Sequence, residues 1–212
     1  MNCCINVEGV SKTIKKQVLV RNVSFQVMNG ETVGFVGRNG SGKTVLLKMI
    51  CGLYRTTEGA ITVQNKKIGK DIEFPDKLGF IIETPGFIPS LSGYDNLKLL
   101  ADIKGRVGKK EVKQALEYVG LDLDSKKHVG KYSLGMKQRL GLAQAIMEDP
   151  EILVLDEPFN GLDRDGVAEM REMLLQLKEK GKTILIASHL ADDIEILCDK
   201  VYEMEQGMCR QS

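Results

Sequence analysis

The chain has 212 residues, 42% hydrophobic and 28% charged, the balance of a globular protein with one large domain or a domain plus a subdomain. Thirty Lys and Arg stand against 29 Asp and Glu, leaving no basic excess to hold a nucleic-acid backbone, so no nucleic acid is expected as a partner. The longest apolar runs, such as Ile152–Leu155 and Thr183–Ala187, fall far short of the roughly 20 residues that cross a bilayer, so no membrane span is expected.

From Ile5 to Val27 the chain alternates and turns like a small antiparallel sheet. Glu31–Gly37 reads as a strand entering a glycine loop, and Thr44–Ile50 as a helix stopped by Gly52. A further strand covers Leu78–Ile82. From about Pro85 to Tyr132 there are two helical patterns and no strand. Ser92 and Asp95 give a capping signal before Leu97, Leu99 and Leu100, and Val112, Ala115, Leu116 and Val119 form the next apolar stripe. Ser133 is placed to cap a helix running through Leu140 and Ala143 to Ile146. Ile152–Leu155 and Thr183–Ala187 are continuous apolar runs, as strands covered on both faces of a parallel sheet appear. Between them Val167, Met170, Met173, Leu174 and Leu177 fall at helical spacing. Gly181 then serves as a stop, and Lys178 and Lys180 suit the negative helix end. Val201–Met208, turning at Gln206-Gly207, closes the chain as a hairpin. Strand–helix alternation of this kind predicts an α/β fold with a helical insertion.

Gly37-Arg38-Asn39-Gly40-Ser41-Gly42-Lys43-Thr44 matches the phosphate-loop pattern G-x-x-x-x-G-K-[ST] in full. Glycines let successive backbone N–H groups face a phosphate without Cβ clashes, and the following helix adds its positive end. Lys43 is placed to reach the β- and γ-phosphates of a nucleotide, and the Thr44 hydroxyl to bind Mg²⁺. Asp156 and Glu157 end the buried Ile152–Leu155 strand. Asp156 is expected to hold Mg²⁺ and Glu157 to activate the attacking water as general base. Five cysteines (Cys3, Cys4, Cys51, Cys198, Cys209) show neither metal spacing nor Cys-x-x-Cys, which suggests a reduced, cytoplasmic setting, with Cys51 and Cys198 as buried filler.

Tyr132-Ser133-Leu134-Gly135-Met136-Lys137-Gln138-Arg139 resembles the signature of ABC ATPases, usually L-S-G-G-Q. Asn160-Gly161-Leu162-Asp163 is similar to the family's D-loop, and Ser188-His189-Leu190 to its switch histidine. With the phosphate loop and acidic pair, these motifs stand in the family's order over essentially the whole chain. The resemblance implies a P-loop NTPase (RecA-like) core with an N-terminal antiparallel β subdomain and an inserted α-helical subdomain. Its expected boundaries are 1–84 and 141–212 for the core with the β subdomain and 85–140 for the helices. It implies an ATP hydrolase that works as an ATP-dependent dimer beneath a transmembrane permease subunit, peripheral on the cytoplasmic face of a bacterial membrane. Ser133, Gly135 and Asp163 would face the nucleotide of the opposite subunit, and His189 the γ-phosphate. A non-transport ABC ATPase, for DNA repair or translation, is the competing expectation.

The departures are informative. Glu83 stands where the family has the Q-loop glutamine beside Mg²⁺. Glu83-Thr84-Pro85-Gly86, with Ser133–Arg139, resembles the bacitracin- and lantibiotic-resistance branch of exporters. Glu83 is therefore expected near the metal, coupling nucleotide state to the permease, which would dock near Glu83 and Phe87. No aromatic residue occupies Ser11–Lys16, where the family stacks a ring on adenine; Ile14 is expected to substitute, with modest ATP-over-GTP discrimination. Leu134 and Met136 replace the first signature glycine and the signature glutamine.

Overall fold

A computed structural model describes residues 2–83, 85–189 and 191–212, with side chains of 191–193 outside the description. Two sheets organise it. The first is antiparallel and four-stranded, in the order β2 (Gln17–Met28), β1 (Cys3–Ile14), β4 (Glu58–Val63), β5 (Lys66–Lys67). The second has six strands: β10 (Met208–Gln211), β9 (Lys200–Glu205), β3 (Thr32–Val36), β8 (Thr183–Ser188), β7 (Ile152–Asp156) and β6 (Leu78–Ile81). Every pairing in it is parallel except that of β9 with β10.

The central strands bury both faces, as their unbroken apolar runs require. Leu153, Leu155, Ile184 and Ile186 face a core shared with the helices α2 (Gly93–Lys104), α3 (Lys109–Tyr118) and α4 (Leu134–Ile146). Their neighbours Ile152, Val154, Leu185 and Ala187 face the other core, shared with the first sheet and α1 (Lys43–Ile50). Each fully buried side chain of this kind contributes about 1.5–3 kcal/mol. Phe25 of the first sheet meets Phe35 and Tyr202 of the second at centroid distances of 5.2 and 5.3 Å, tying the sheets together. Helix α5 (Arg164–Glu179) buries Met170, Leu174 and Leu177, and α6 (Ala191–Leu197) follows β8.

Local signals set the helix ends. Ser92 Oγ accepts from the Asp95 N–H at 3.1 Å and caps α2. Gly52, at φ +80°, stops α1. Cys51 is buried as expected, while Cys198 is only partly so. Burial pushes the Cys198 thiol up to about 12. Close packing of β6 on α4 depends on Gly79, where an added Cβ would lie 1.9 Å from the Ala145 carbonyl oxygen, a backbone atom that cannot swing aside. Gly79→Ala should therefore cost about 1–3 kcal/mol. Thermal unfolding measures this, and an unchanged melting temperature would show that β6 and α4 can separate freely.

Candidate nucleotide site

The C-terminal ends of β3, β7 and β8 converge, and the register aligns them: Val36 pairs with Ser188, and Asp156 with Ala187. Ligands of open α/β sheets bind at such strand ends. Gly37–Thr44 leaves β3 there. Arg38, Asn39 and Gly40 are exposed at its mouth, while Ser41 and Lys43 are buried. Gly42, at φ +110°, is the N-cap of α1, and a Cβ on it would sit 2.6 Å from the Leu19 carbonyl oxygen. No side chain fits that position. Lys43 arches back over the loop, its Nζ donating to the Gly37 carbonyl at 2.6 Å and the Arg38 carbonyl at 3.3 Å.

The acidic pair completes a polar network. The Thr44 hydroxyl donates to Asp156 Oδ2 at 2.7 Å. Glu157 lies between two cationic or polar groups, with Lys43 Nζ 3.7 Å from Oε1 and His189 Nδ1 2.8 Å from Oε2. With Glu157 ionised, the latter bond places the ring proton on Nδ1. The Glu157 backbone stands at φ +50° and its N–H donates to the Ala187 carbonyl at 2.8 Å. A non-glycine residue held in this region costs about 1–3 kcal/mol, a cost typical of functional sites.

The donor set fits Mg²⁺. Asp156 Oδ1 is buried without a hydrogen-bond partner, beside the hydroxyl oxygen of Thr44. Burial pushes the Asp156 carboxyl above its usual range; a bound cation would draw it back down. Among the described residues no three His, Cys, Asp or Glu side chains converge as metal ligands. A cation here would thus need further oxygens from phosphate and water, the habit of Mg²⁺.

Other expected residues sit apart from this network. Ser133 caps α4, its Oγ accepting from the Met136 N–H at 3.2 Å. Asp163 caps α5, its Oδ1 accepting from Gly166 at 2.8 Å. Among the described residues no hydrogen bond or ion pair joins Ser133, Gly135 or Asp163 to residues 37–44. Ile14 ends β1 at the hairpin turn Lys15-Lys16 and is 36% exposed. Glu83 does not touch Thr44 or Asp156; its carboxylate accepts from Lys48 Nζ at 2.6 Å. Thr84 and Leu190, which belong to the quoted motifs, lie outside the described residues.

Three contacts escaped sequence reasoning. The closing hairpin braces the phosphate loop: Gly207 donates to the Ser41 carbonyl at 2.9 Å and accepts from Arg21 at 2.8 Å. Leu134 packs over Gly161, where a Cβ would come within 1.9 Å of it, so the departure from glycine in the signature is matched by a glycine in the 160–163 loop. Lys48 is the third. All three join residues far apart in the chain, where spacing carries no signal.

This arrangement defines a P-loop nucleotide hydrolase: a phosphate-binding loop facing an acidic pair and a histidine on adjacent strand ends. The family description "ABC transporter" matches residues 20–160. The uncharacterized ABC transporter ATP-binding protein YybJ of Bacillus subtilis (strain 168) is 44% identical over 98% of this chain and 95% of its own length. The bacitracin transport ATP-binding protein BcrA of Enterococcus faecalis is 43% identical over 98% of this chain and 68% of its own. The lantibiotic transport ATP-binding protein SrtF of Streptococcus pyogenes is 35% identical, covering 96% and 87% respectively. Among solved structures, the dimeric ATP-binding cassette MJ0796 bound to ADP and Pi superposes with a TM-score of 0.90 at 26% identity, over 98% of this chain and 97% of that one. The chain belongs to the ABC transporter ATP-binding family. It is an ATP-hydrolysing subunit of a transporter, and the non-transport alternative falls away.

Proposed function

We propose that two copies of this chain close on two ATP molecules and drive a separate membrane permease that moves peptide antibiotics. The observation that carries the catalytic part is Glu157 held between Lys43 and His189 beside the Thr44–Asp156 pair. In this reading Lys43 and the loop amides hold the phosphates. Thr44 and Asp156 hold Mg²⁺, which when bound neutralises phosphate charge. Glu157 takes the proton of the attacking water, and His189 orients that carboxylate through its 2.8 Å bond. Ser133 and the N-terminus of α4 supply a second anion site for the nucleotide held by the other copy, with Gly135 and Asp163 beside it. Likeness to the dimeric cassette bound to ADP and Pi supports a site completed in trans.

Residues 85–140 would act as the helical unit that meets the permease. A cleft of about 360 Å³ beside Glu83, lined by Phe80, Phe87, Ile88 and Leu99, offers apolar surface for a permease segment. Among the described residues no helix is long and apolar enough to cross a membrane. A peripheral position on the cytoplasmic face follows from pairing with a permease. Ile14, exposed at the hairpin turn, would cover adenine less firmly than a ring, so weak preference for ATP over GTP follows. The cargo follows from likeness to the bacitracin and lantibiotic transport proteins. Co-expression with a candidate permease in a sensitive bacterium should raise the inhibitory concentration of bacitracin or a lantibiotic several-fold, and only while Glu157 is intact. Resistance persisting with Glu157→Gln would show that hydrolysis here does not power export.

A further inference from the structure

Glu83 replaces a neutral amide with a carboxylate, and a second fixed negative charge near a Mg²⁺ site alters how tightly the cation is held. The fold supplies a counter-charge. Lys48 follows Thr44 by four residues on α1, so the two lie on the same face, one turn apart. A row of alternating groups results: Asp156 bonded to Thr44 at 2.7 Å, then Lys48 bonded to Glu83 at 2.6 Å. Lys48 is well fixed. Its side chain is 16% exposed, and its Nζ lies 5.3 Å from the Tyr54 ring centroid. Lys12 lies 5.5 Å from the same ring, and the N–H groups of Leu53 and Tyr54 both donate to the Lys48 carbonyl. Glu83 is 64% exposed, yet its backbone stands at φ +60°, a conformation that persists only where the surroundings hold it.

We propose that Lys48 is a positioning residue for Glu83: it cancels the extra carboxylate and holds it off the Thr44–Asp156 cation site. The inference rests on reading Thr44 and Asp156 as that site. The Lys48–Glu83 pair then presents the same net charge as a glutamine would. Removing either partner alone unbalances the site in opposite directions, and removing both restores it.

The test is a double-mutant cycle read by Mn²⁺ affinity of the ADP-loaded protein, using electron paramagnetic resonance, with ATP turnover alongside. Lys48→Met should tighten Mn²⁺ by about 3- to 10-fold, the effect of an uncompensated charge at this range. Glu83→Gln should weaken it by a similar factor. The double variant should return to within about 2-fold of wild type, and Lys48→Arg should stay there throughout. Turnover should fall in each single variant and recover in the double. Shifts of the same sign in both single variants, or a double variant that stays more than about 2-fold from wild type, overturn the proposal. Should Lys48→Met not fold, the sign of the Glu83→Gln shift and the neutrality of Lys48→Arg still decide it. Asp156→Ala separates the underlying reading: unchanged Mn²⁺ affinity there would mean the cation site lies elsewhere.

Discussion

Glu157→Gln should lower ATP turnover by about 100- to 10,000-fold, the usual contribution of a general base. The amide keeps the shape of the carboxylate and can still face His189 Nδ1, now 2.8 Å from Oε2. It cannot take a proton from water. Binding should survive, because the loop amides and Lys43 are untouched. Loss of the 3.7 Å Glu157–Lys43 ion pair frees the ammonium for phosphate, which favours the nucleotide-bound state. The variant with Mg²⁺ and ATP should therefore accumulate as a dimer, while the wild type returns to monomer as ATP is consumed. Size-exclusion chromatography with light scattering reads the dimer, and phosphate release reads the turnover. Turnover within about tenfold of wild type would move the base elsewhere. A variant that stays monomeric, alone and with its permease, would argue against closure on ATP.

Lys43→Met should weaken ATP binding by about 100-fold or more. Hydrogen bonds to charged groups contribute about 1.5–3 kcal/mol each, and a lysine bridging two phosphates makes more than one. Lys43 is 5% exposed, so water cannot replace its charge. Methionine fills much of the same volume and leaves the Gly37 and Arg38 carbonyls without this donor. Folding should lose about 1–3 kcal/mol, since two loop carbonyls lose a buried donor and Glu157 loses its ion-pair partner. Nucleotide binding by isothermal titration and melting by circular dichroism separate the two effects. Near-normal ATP affinity in a folded Lys43→Met chain would exclude Lys43 as the phosphate ligand.

Much of the site was legible because its chemistry is local. The phosphate loop needs glycines at fixed offsets before a helix, and Gly42 shows why: at φ +110°, with an added Cβ only 2.6 Å from the Leu19 carbonyl oxygen, it admits no side chain. Asp156-Glu157 was visible because a run buried on both faces ends abruptly in two charges. The caps Ser92 and Ser133 were visible because a cap bonds only two or three residues ahead. Glu83 was visible as a departure, but its partner was not. Lys48 lies 35 residues upstream, and no spacing rule links the two.

The sequence by itself determined where the glycine loop, the helix caps and the charges at the strand ends lie, since each of these is built from neighbours in the chain. Tertiary structure decided their partners. It brought Glu157 between Lys43 and His189, braced the phosphate loop with Gly207, seated Leu134 on Gly161 and matched Glu83 with Lys48. Each of these depends on strand order and helix packing, where contact is set by the burial of distant apolar faces rather than by separation along the chain.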